Sequence, residues 1–233
     1  MKISGAGYEY LFSEVSDGNM SLAWGKKTEV DNNKQKFLSA NGLNIDKCVK
    51  ASLMHGSEIK EVTSEDTEKE YECDSLLTSD KNIVLTMVTA DCFPLVIFDP
   101  IKKLISLTHL GHRGASAKLP IKIVTKMVKS GAKPELLKVI LGPGIRKESY
   151  VFESVNQKDD PEWKPFLQLR PKGLISVDLA GYILKQLKDL GVVSENITDS
   201  KIDTGSNPDY FSHFVAVKND LKEGRFLSAV RLT

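Results

Sequence analysis

The middle of the chain reads as strands. Asn82 to Thr89 (NIVLTMVT) is rich in apolar and β-branched residues, the composition a buried pleated surface favours. Pro94 to Phe98 and Lys103 to His109 (KLISLTH) follow, with an Asp99-Pro100 turn between them. Two short strands across such a turn predict an antiparallel hairpin. Helical spacing then takes over. Pro120 suits a helix start, Ile121, Val124, Met127 and Val128 share one face, and Gly131 is a natural stop. Lys138 to Leu141 reads as a further strand, closed by Gly142-Pro143-Gly144. A second helix starts at Asp178 as N-cap, carries Leu179, Ile183, Leu187 and Leu190 as one stripe, and ends at Gly191. Phe226 to Leu232 alternates as a strand.

Two intervals lack apolar periodicity. Ser57 to Glu72 (SEIKEVTSEDTEKEYE) is charged and polar, and is expected to be an extended edge hairpin or a mobile loop. Gln157 to Pro165 reads as a surface excursion. Apolar segments resume on both sides of each, so neither marks a domain boundary. Strand pairs and separated helices, without regular βαβ alternation, indicate an α+β fold. We expect mixed β-sheets packed together and flanked by helices, in a single domain over residues 1–233.

Composition narrows the partners. The chain has 233 residues, ample for a sizeable core, and 41% are hydrophobic. Lys plus Arg is 32 and Asp plus Glu is 31, a net charge of +1. So balanced a chain exerts little long-range pull on nucleic acid or acidic membranes, and neither is expected as a partner. The N-terminal MKISGAGYEYLF has no long apolar stretch of the signal-peptide kind, and runs such as PLVIF are too short to span a bilayer. Cys48, Cys73 and Cys92 are an odd, sparse set. Reduced thiols in a cytoplasm are the simpler reading.

Candidate chemistry gathers around three of four histidines. His55 stands in Leu53-Met54-His55-Gly56, and His109 and His112 in His109-Leu110-Gly111-His112-Arg113-Gly114. Cys92 lies in Thr89-Ala90-Asp91-Cys92-Phe93-Pro94, at the end of an apolar strand. If the strands before Cys92 and before His109 are neighbours in one hairpin, their side chains can approach. A thiolate and two imidazoles suit tetrahedral zinc and leave a fourth position open, as a catalytic site requires. Spacing alone leaves other readings open, because the three residues form no compact CxxC-type signature. Cys92 could be a small core residue, or a nucleophile with His109 as its base in a metal-free cysteine hydrolase. Asp91 would point away from that pair if the strand continued.

Several runs occur together in order: His55-Gly56, Asp74-Ser75-Leu76-Leu77-Thr78, Thr89-Ala90-Asp91-Cys92-Phe93-Pro94, His109-Leu110-Gly111-His112-Arg113-Gly114 and Leu141-Gly142-Pro143-Gly144-Ile145. Tyr150, the helix led by Asp178, Phe211-Ser212 and Gly224-Arg225 complete the set. Together they resemble the laccase-domain purine nucleoside phosphorylase family, also known as polyphenol oxidoreductase or multicopper laccase and YfiH-like. The resemblance extends from Phe12-Ser13 to Arg225 and implies zinc on His55, Cys92 and His109. It implies phosphorolysis of adenosine, inosine and methylthioadenosine, and deamination of adenosine, so a purine nucleoside and phosphate are the expected small-molecule partners. Cys92, His109 and Arg113 are then the expected catalytic residues. Arg113 is the candidate phosphate cation, although it could equally serve a structural ion pair. Asn33 and Lys34 match the family's Asn-Arg pair and are expected at the substrate. Backbone groups of Gly142 and Gly144 are further candidates for the phosphate, with an ordinary tight turn as the alternative.

The chain departs from the family pattern at Ala23, Lys34, Leu53, His112, Asp203 and His213-Phe214, where the family carries Asn, Arg, Gln, Trp, Cys and Tyr-Arg. A zinc-binding homologue without catalytic activity therefore stands as a third reading. A multicopper oxidase does not, because a blue-copper site plus a histidine-rich cluster needs more than four histidines.

Overall fold

A computed structural model describes residues 1–233. In chain order the elements are β1 (Lys2–Gly5), β2 (Tyr8–Phe12), α1 (Lys27–Ala40), β3 (Cys48–Ser52), β4 (Ile59–Glu61), β5 (Glu70–Glu72), β6 (Ser75–Thr78), β7 (Val84–Thr89), β8 (Phe93–Asp99) and β9 (Leu104–Leu110). There follow α2 (His112–Ser116), α3 (Leu119–Lys129), β10 (Lys138–Leu141), β11 (Val151–Phe152), β12 (Leu167–Leu169), β13 (Ile175–Val177), α4 (Leu179–Asp189), β14 (Ile197–Asp199), α5 (His213–Asn219) and β15 (Phe226–Leu232). One six-stranded sheet has the order β1-β2-β15-β7-β3-β5, a second the order β14-β10-β8-β9-β6-β4, and β11-β13-β12 form a small third. Both large sheets mix parallel and antiparallel pairs, and helices flank them without regular βαβ alternation, so the fold is α+β.

Alternation along the central strands explains the layering. In β8, Val96 and Phe98 face the other large sheet, and Leu95 and Ile97 face the helices α3 and α4. Successive side chains leave a strand on opposite faces, so a strand buried on both sides needs apolar residues throughout, as β8 has. On the first sheet Leu85 and Met87 face inward, while Leu11, Leu227 and Ala229 pack outward against Phe37, Leu38 and Leu43 at the end of α1. The order is therefore helix, sheet, sheet, helices.

The β8–β9 hairpin and the helices led by Pro120 and Asp178 lie where the pattern predicts them. Three features differ. Helix α1 carries no continuous apolar stripe, because only Val30, Phe37 and Leu38 of its 14 residues are buried, so periodicity does not reveal it. The Ser57 to Glu72 interval is neither a hairpin nor a plain loop: β4 joins the edge of one large sheet beside β6, and β5 joins the edge of the other beside β3. The excursion around Gln157 to Pro165 is pinned by Trp163, which is fully buried and stacked on Tyr182 with ring centroids 3.9 Å apart.

Candidate metal centre and its cavity

The β8–β9 register builds the centre. Phe93 pairs with Leu110 and Pro94 with His109, so Cys92, one residue before β8, comes opposite Gly111. His109 continues the inward face of Ile105 and Leu107. The strand that precedes Cys92, β7, belongs to the other large sheet. The approach of Cys92 to His109 thus comes from β8 and β9, and not from a hairpin containing β7. Between β7 and β8 the chain crosses from sheet to sheet through Asp91, whose φ of 72° is left-handed. Asp91 is held there by its own carboxylate, which accepts Thr204 Oγ1–H at 2.7 Å and the Phe214 backbone N–H at 2.7 Å. It therefore orients the crossing and not His109.

His55, Cys92 and His109 offer ligand atoms that all lie within 4.8 Å of one another. The two imidazoles meet edge to face with centroids 4.9 Å apart. A carboxylate outside the candidate ligand set organises both. Asp74 is fully buried, and its Oδ1 lies 2.9 Å from His109 Nδ1. The same carboxylate accepts the backbone N–H groups of His55 at 2.9 Å and Gly56 at 2.7 Å, fixing His55 at a left-handed φ of 57°. Its signal in the sequence is its place at the head of the Asp74-Ser75-Leu76-Leu77-Thr78 run.

Electrostatics follow from this packing. Burial pushes the Cys92 thiol up, but the imidazoles of His109 and His55 outweigh it and bring the thiol down to about 6. Burial pushes His109 the other way, and the Cys92 and Asp74 charges lift it to about 9. Both groups are drawn toward their charged forms, which gives Cys92 the thiolate a metal needs. Burial also raises Asp74, yet hydrogen bonds from His109, Gly56 and His55 hold it below the ordinary carboxylate range. With Nδ1 committed to Asp74, His109 keeps Nε2 for a ligand, the arrangement in which a carboxylate backs a metal-bound histidine. Space fits as well: a Cβ on Gly111 would stand 2.7 Å from Cys92 Sγ. The donor set suits zinc, with three protein ligands and an open position.

The centre opens into a cavity of about 800 Å³. Tyr150, Phe152 and Phe214 form one wall, with mutual centroid distances of 4.6–5.6 Å in edge-to-face contact. Lys34, Lys50 and Arg225 supply cations, and His112 and His213 also line it. Ala23, Leu53 and Phe214 contribute apolar surface.

A profile of the family described as multi-copper polyphenol oxidoreductase laccase matches residues 11–233. The chain belongs to this family. Within it, the chain is 30% identical over 164 residues to a purine nucleoside phosphorylase of Deinococcus radiodurans, covering 70% of this chain and 64% of that protein, a little under two thirds of its length. It is 28% identical over 199 residues to a purine nucleoside phosphorylase of Mycobacterium tuberculosis, covering 85% and 77%. The structure of YlmD from Geobacillus stearothermophilus shares the fold with a TM-score of 0.87 at 23% identity, over 97% of this chain and 92% of that one. No helix here is long and apolar enough to cross a membrane.

The remaining site candidates separate. Lys34 lines the cavity and makes no ion pair. Asn33 lies beside it in α1, but its amide donates to the Asn19 carbonyl at 3.0 Å. Arg113 is exposed on α2, outside the cavity wall. Gly142 and Gly144 are not free to cradle phosphate. Their N–H groups donate to Pro94 at 2.9 Å and Ile202 at 3.3 Å. Their missing side chains make room for Tyr10 and Phe93, so they serve packing.

Proposed function

We propose that this chain is a zinc-dependent purine nucleoside enzyme, acting by phosphorolysis of adenosine, inosine and methylthioadenosine and by deamination of adenosine, in the cytoplasm. The observation that carries the reading is the His55–Cys92–His109 group, braced by Asp74, at one side of an aromatic-walled cavity of about 800 Å³. Zinc, when bound, supplies a Lewis acid that polarises an oxygen or water in its open position. Asp74 holds His109 in one tautomer and keeps the ring from turning. Tyr150, Phe152 and Phe214 offer flat and edge surfaces on which a purine can pack.

Phosphate needs cations inside the cavity. Arg113 stands outside it, and Lys34 meets the requirement better. Burial and the neighbouring Lys50 disfavour the Lys34 charge, so an anion bound between these lysines would relieve a cost already present. Lys50 itself is paired with Glu70 at 2.9 Å.

The test is a nucleoside panel incubated with purified protein, with and without phosphate, and analysed by mass. Adenosine should yield inosine, free adenine or both, and free-base release should require phosphate. No nucleoside consumed at high enzyme concentration would overturn the reading and favour a zinc protein whose cavity has lost its polar substrate contacts at Ala23, Leu53 and Phe214.

One arrangement favours a second reading. Cys92, His109 and Asp74 stand in the order nucleophile, base and orienting carboxylate. A metal-free cysteine hydrolase would use these three and have no need of His55. His55→Ala separates the two: it abolishes a zinc-dependent activity and spares a thiol-dependent one.

A further inference from the structure

A second histidine–carboxylate pair, which the metal centre does not use, presents its histidine to the cavity and keeps its carboxylate behind. His213 opens α5, and its Nδ1 lies 2.7 Å from Glu223 Oε2. Glu223 is itself held by Arg225 Nη1 at 3.1 Å. Arg225 is anchored in turn by the Gly224 carbonyl at 2.7 Å and lies over the Trp24 ring at 5.3 Å. The carboxylate thus cannot swing away, and it commits Nδ1 of His213. The nitrogen left for other work is Nε2, on a side chain that is 52% exposed and lines the cavity.

Two neighbours relate this pair to the aromatic wall. The next residue, Phe214, packs against both Tyr150 and Phe152. Its backbone N–H is tied to Asp91, next to Cys92. The aromatic trio, the metal centre and His213 thus line one and the same cavity. No hydrogen bond within the cavity claims His213 Nε2.

Resting on the nucleoside reading above, we infer that His213, backed by Glu223, is a catalytic acid that protonates the departing purine. In phosphorolysis a phosphate oxygen forms a bond to the anomeric carbon as the bond to purine N9 breaks. The electron pair of that bond passes into the base. A proton moving from His213 Nε2 to N7 lets the base leave neutral, and leaves His213 neutral. The proton that the new phosphate ester releases goes to solvent, from which the half-exposed His213 is recharged. A half-exposed imidazole suits this cycle, because a fully enclosed one could not reload so readily.

The test exploits the leaving group. In 7-methylinosine the N7 position is already methylated and cationic, so its base departs without a proton. His213→Gln should slow phosphate-dependent cleavage of inosine by about 100-fold while changing that of 7-methylinosine by no more than about threefold. Glu223→Gln should slow inosine cleavage less, and again spare 7-methylinosine. Zinc content should match wild type in both variants, since neither side chain belongs to the metal centre, and His213→Gln, at a half-exposed side chain, should leave the thermal midpoint unchanged. Equal slowing of the two substrates by His213→Gln would overturn the assignment and leave a role in binding or packing. Unchanged inosine cleavage would overturn it outright. Wild-type protein that cleaves neither nucleoside overturns the nucleoside reading itself, and this inference with it.

Discussion

Asp74 Oδ1 sits 2.9 Å from His109 Nδ1, and the same buried carboxylate accepts the backbone amide of His55. One side chain therefore positions two of the three candidate ligands. It orients one through its ring and the other through its main chain.

Removing the charge of Asp74 should weaken the centre without dismantling it. Asp74→Asn keeps an oxygen for the His55 amide but turns an NH2 toward the Gly56 amide and loses the charge that backs His109. Zinc affinity, measured by competition with a chelator, should fall by about 10–100-fold. Unchanged affinity would show that His109 needs no carboxylate behind it.

Gly111 tests the steric side of the same centre. Its backbone φ of −88° suits any residue, so Gly111→Ala adds only a methyl group, 2.7 Å from Cys92 Sγ. The thiol must move. We expect folded protein, judged by circular dichroism, that carries well under one zinc per chain by elemental analysis. Full zinc content would mean that the thiol position is not critical.

Cys92 should be shielded by metal. In zinc-loaded protein iodoacetamide should label it slowly, and chelation should speed the labelling with parallel loss of activity. The peptide containing Cys92 must be followed by mass, because Cys48 and Cys73 are also free thiols. Fast labelling of Cys92 in protein shown to contain zinc would remove it from the ligand set.

Asp91 holds the sheet-to-sheet crossing. Asp91→Ala leaves Thr204 Oγ1 and the Phe214 amide without their acceptor and places alanine at a φ of 72°. Destabilisation of about 2–4 kcal/mol is expected from chemical denaturation. Asn tolerates the left-handed region and keeps one acceptor, so Asp91→Asn should cost less than Asp91→Ala. Equal losses would point away from the backbone.

Acid sensitivity should involve Asp199. Burial raises its carboxyl, but hydrogen bonds from Arg146 and Lys201 prevail and hold it below the ordinary range. Arg146 grips it with two nitrogens, at 2.6 and 3.0 Å. Because the folded value is the lower one, the pair contributes fully above the ordinary carboxylate pKa. Its contribution fades as pH falls through that value toward the folded one. Asp199→Asn should therefore cost about 3 kcal/mol near neutrality and flatten the acid limb of the stability curve. An acid limb of unchanged slope in the variant would exclude Asp199 as its source.

Elements whose signal is local are legible in the chain alone. Strands β7 to β9 announce themselves by continuous apolar runs and the Asp99-Pro100 turn, and α3 and α4 by a stripe with a Pro or Asp start and a Gly stop. The candidate ligand group is legible too, as short motifs in a fixed order whose side chains the fold brings together. Tertiary structure alone decided the rest. It sent β4 and β5 to different sheets, placed β7 across from the hairpin that carries Cys92 and His109, and set Asp74 between two candidate ligands. It also places Arg113 outside the cavity, brings Lys50 and Arg225 to its wall, and sets Glu223 behind His213. Helix α1 stayed silent because it buries only three side chains. Periodicity and turn chemistry report on a residue's neighbours within about one turn or one strand, whereas sheet pairing and convergence at a cavity depend on contacts between residues far apart in the chain.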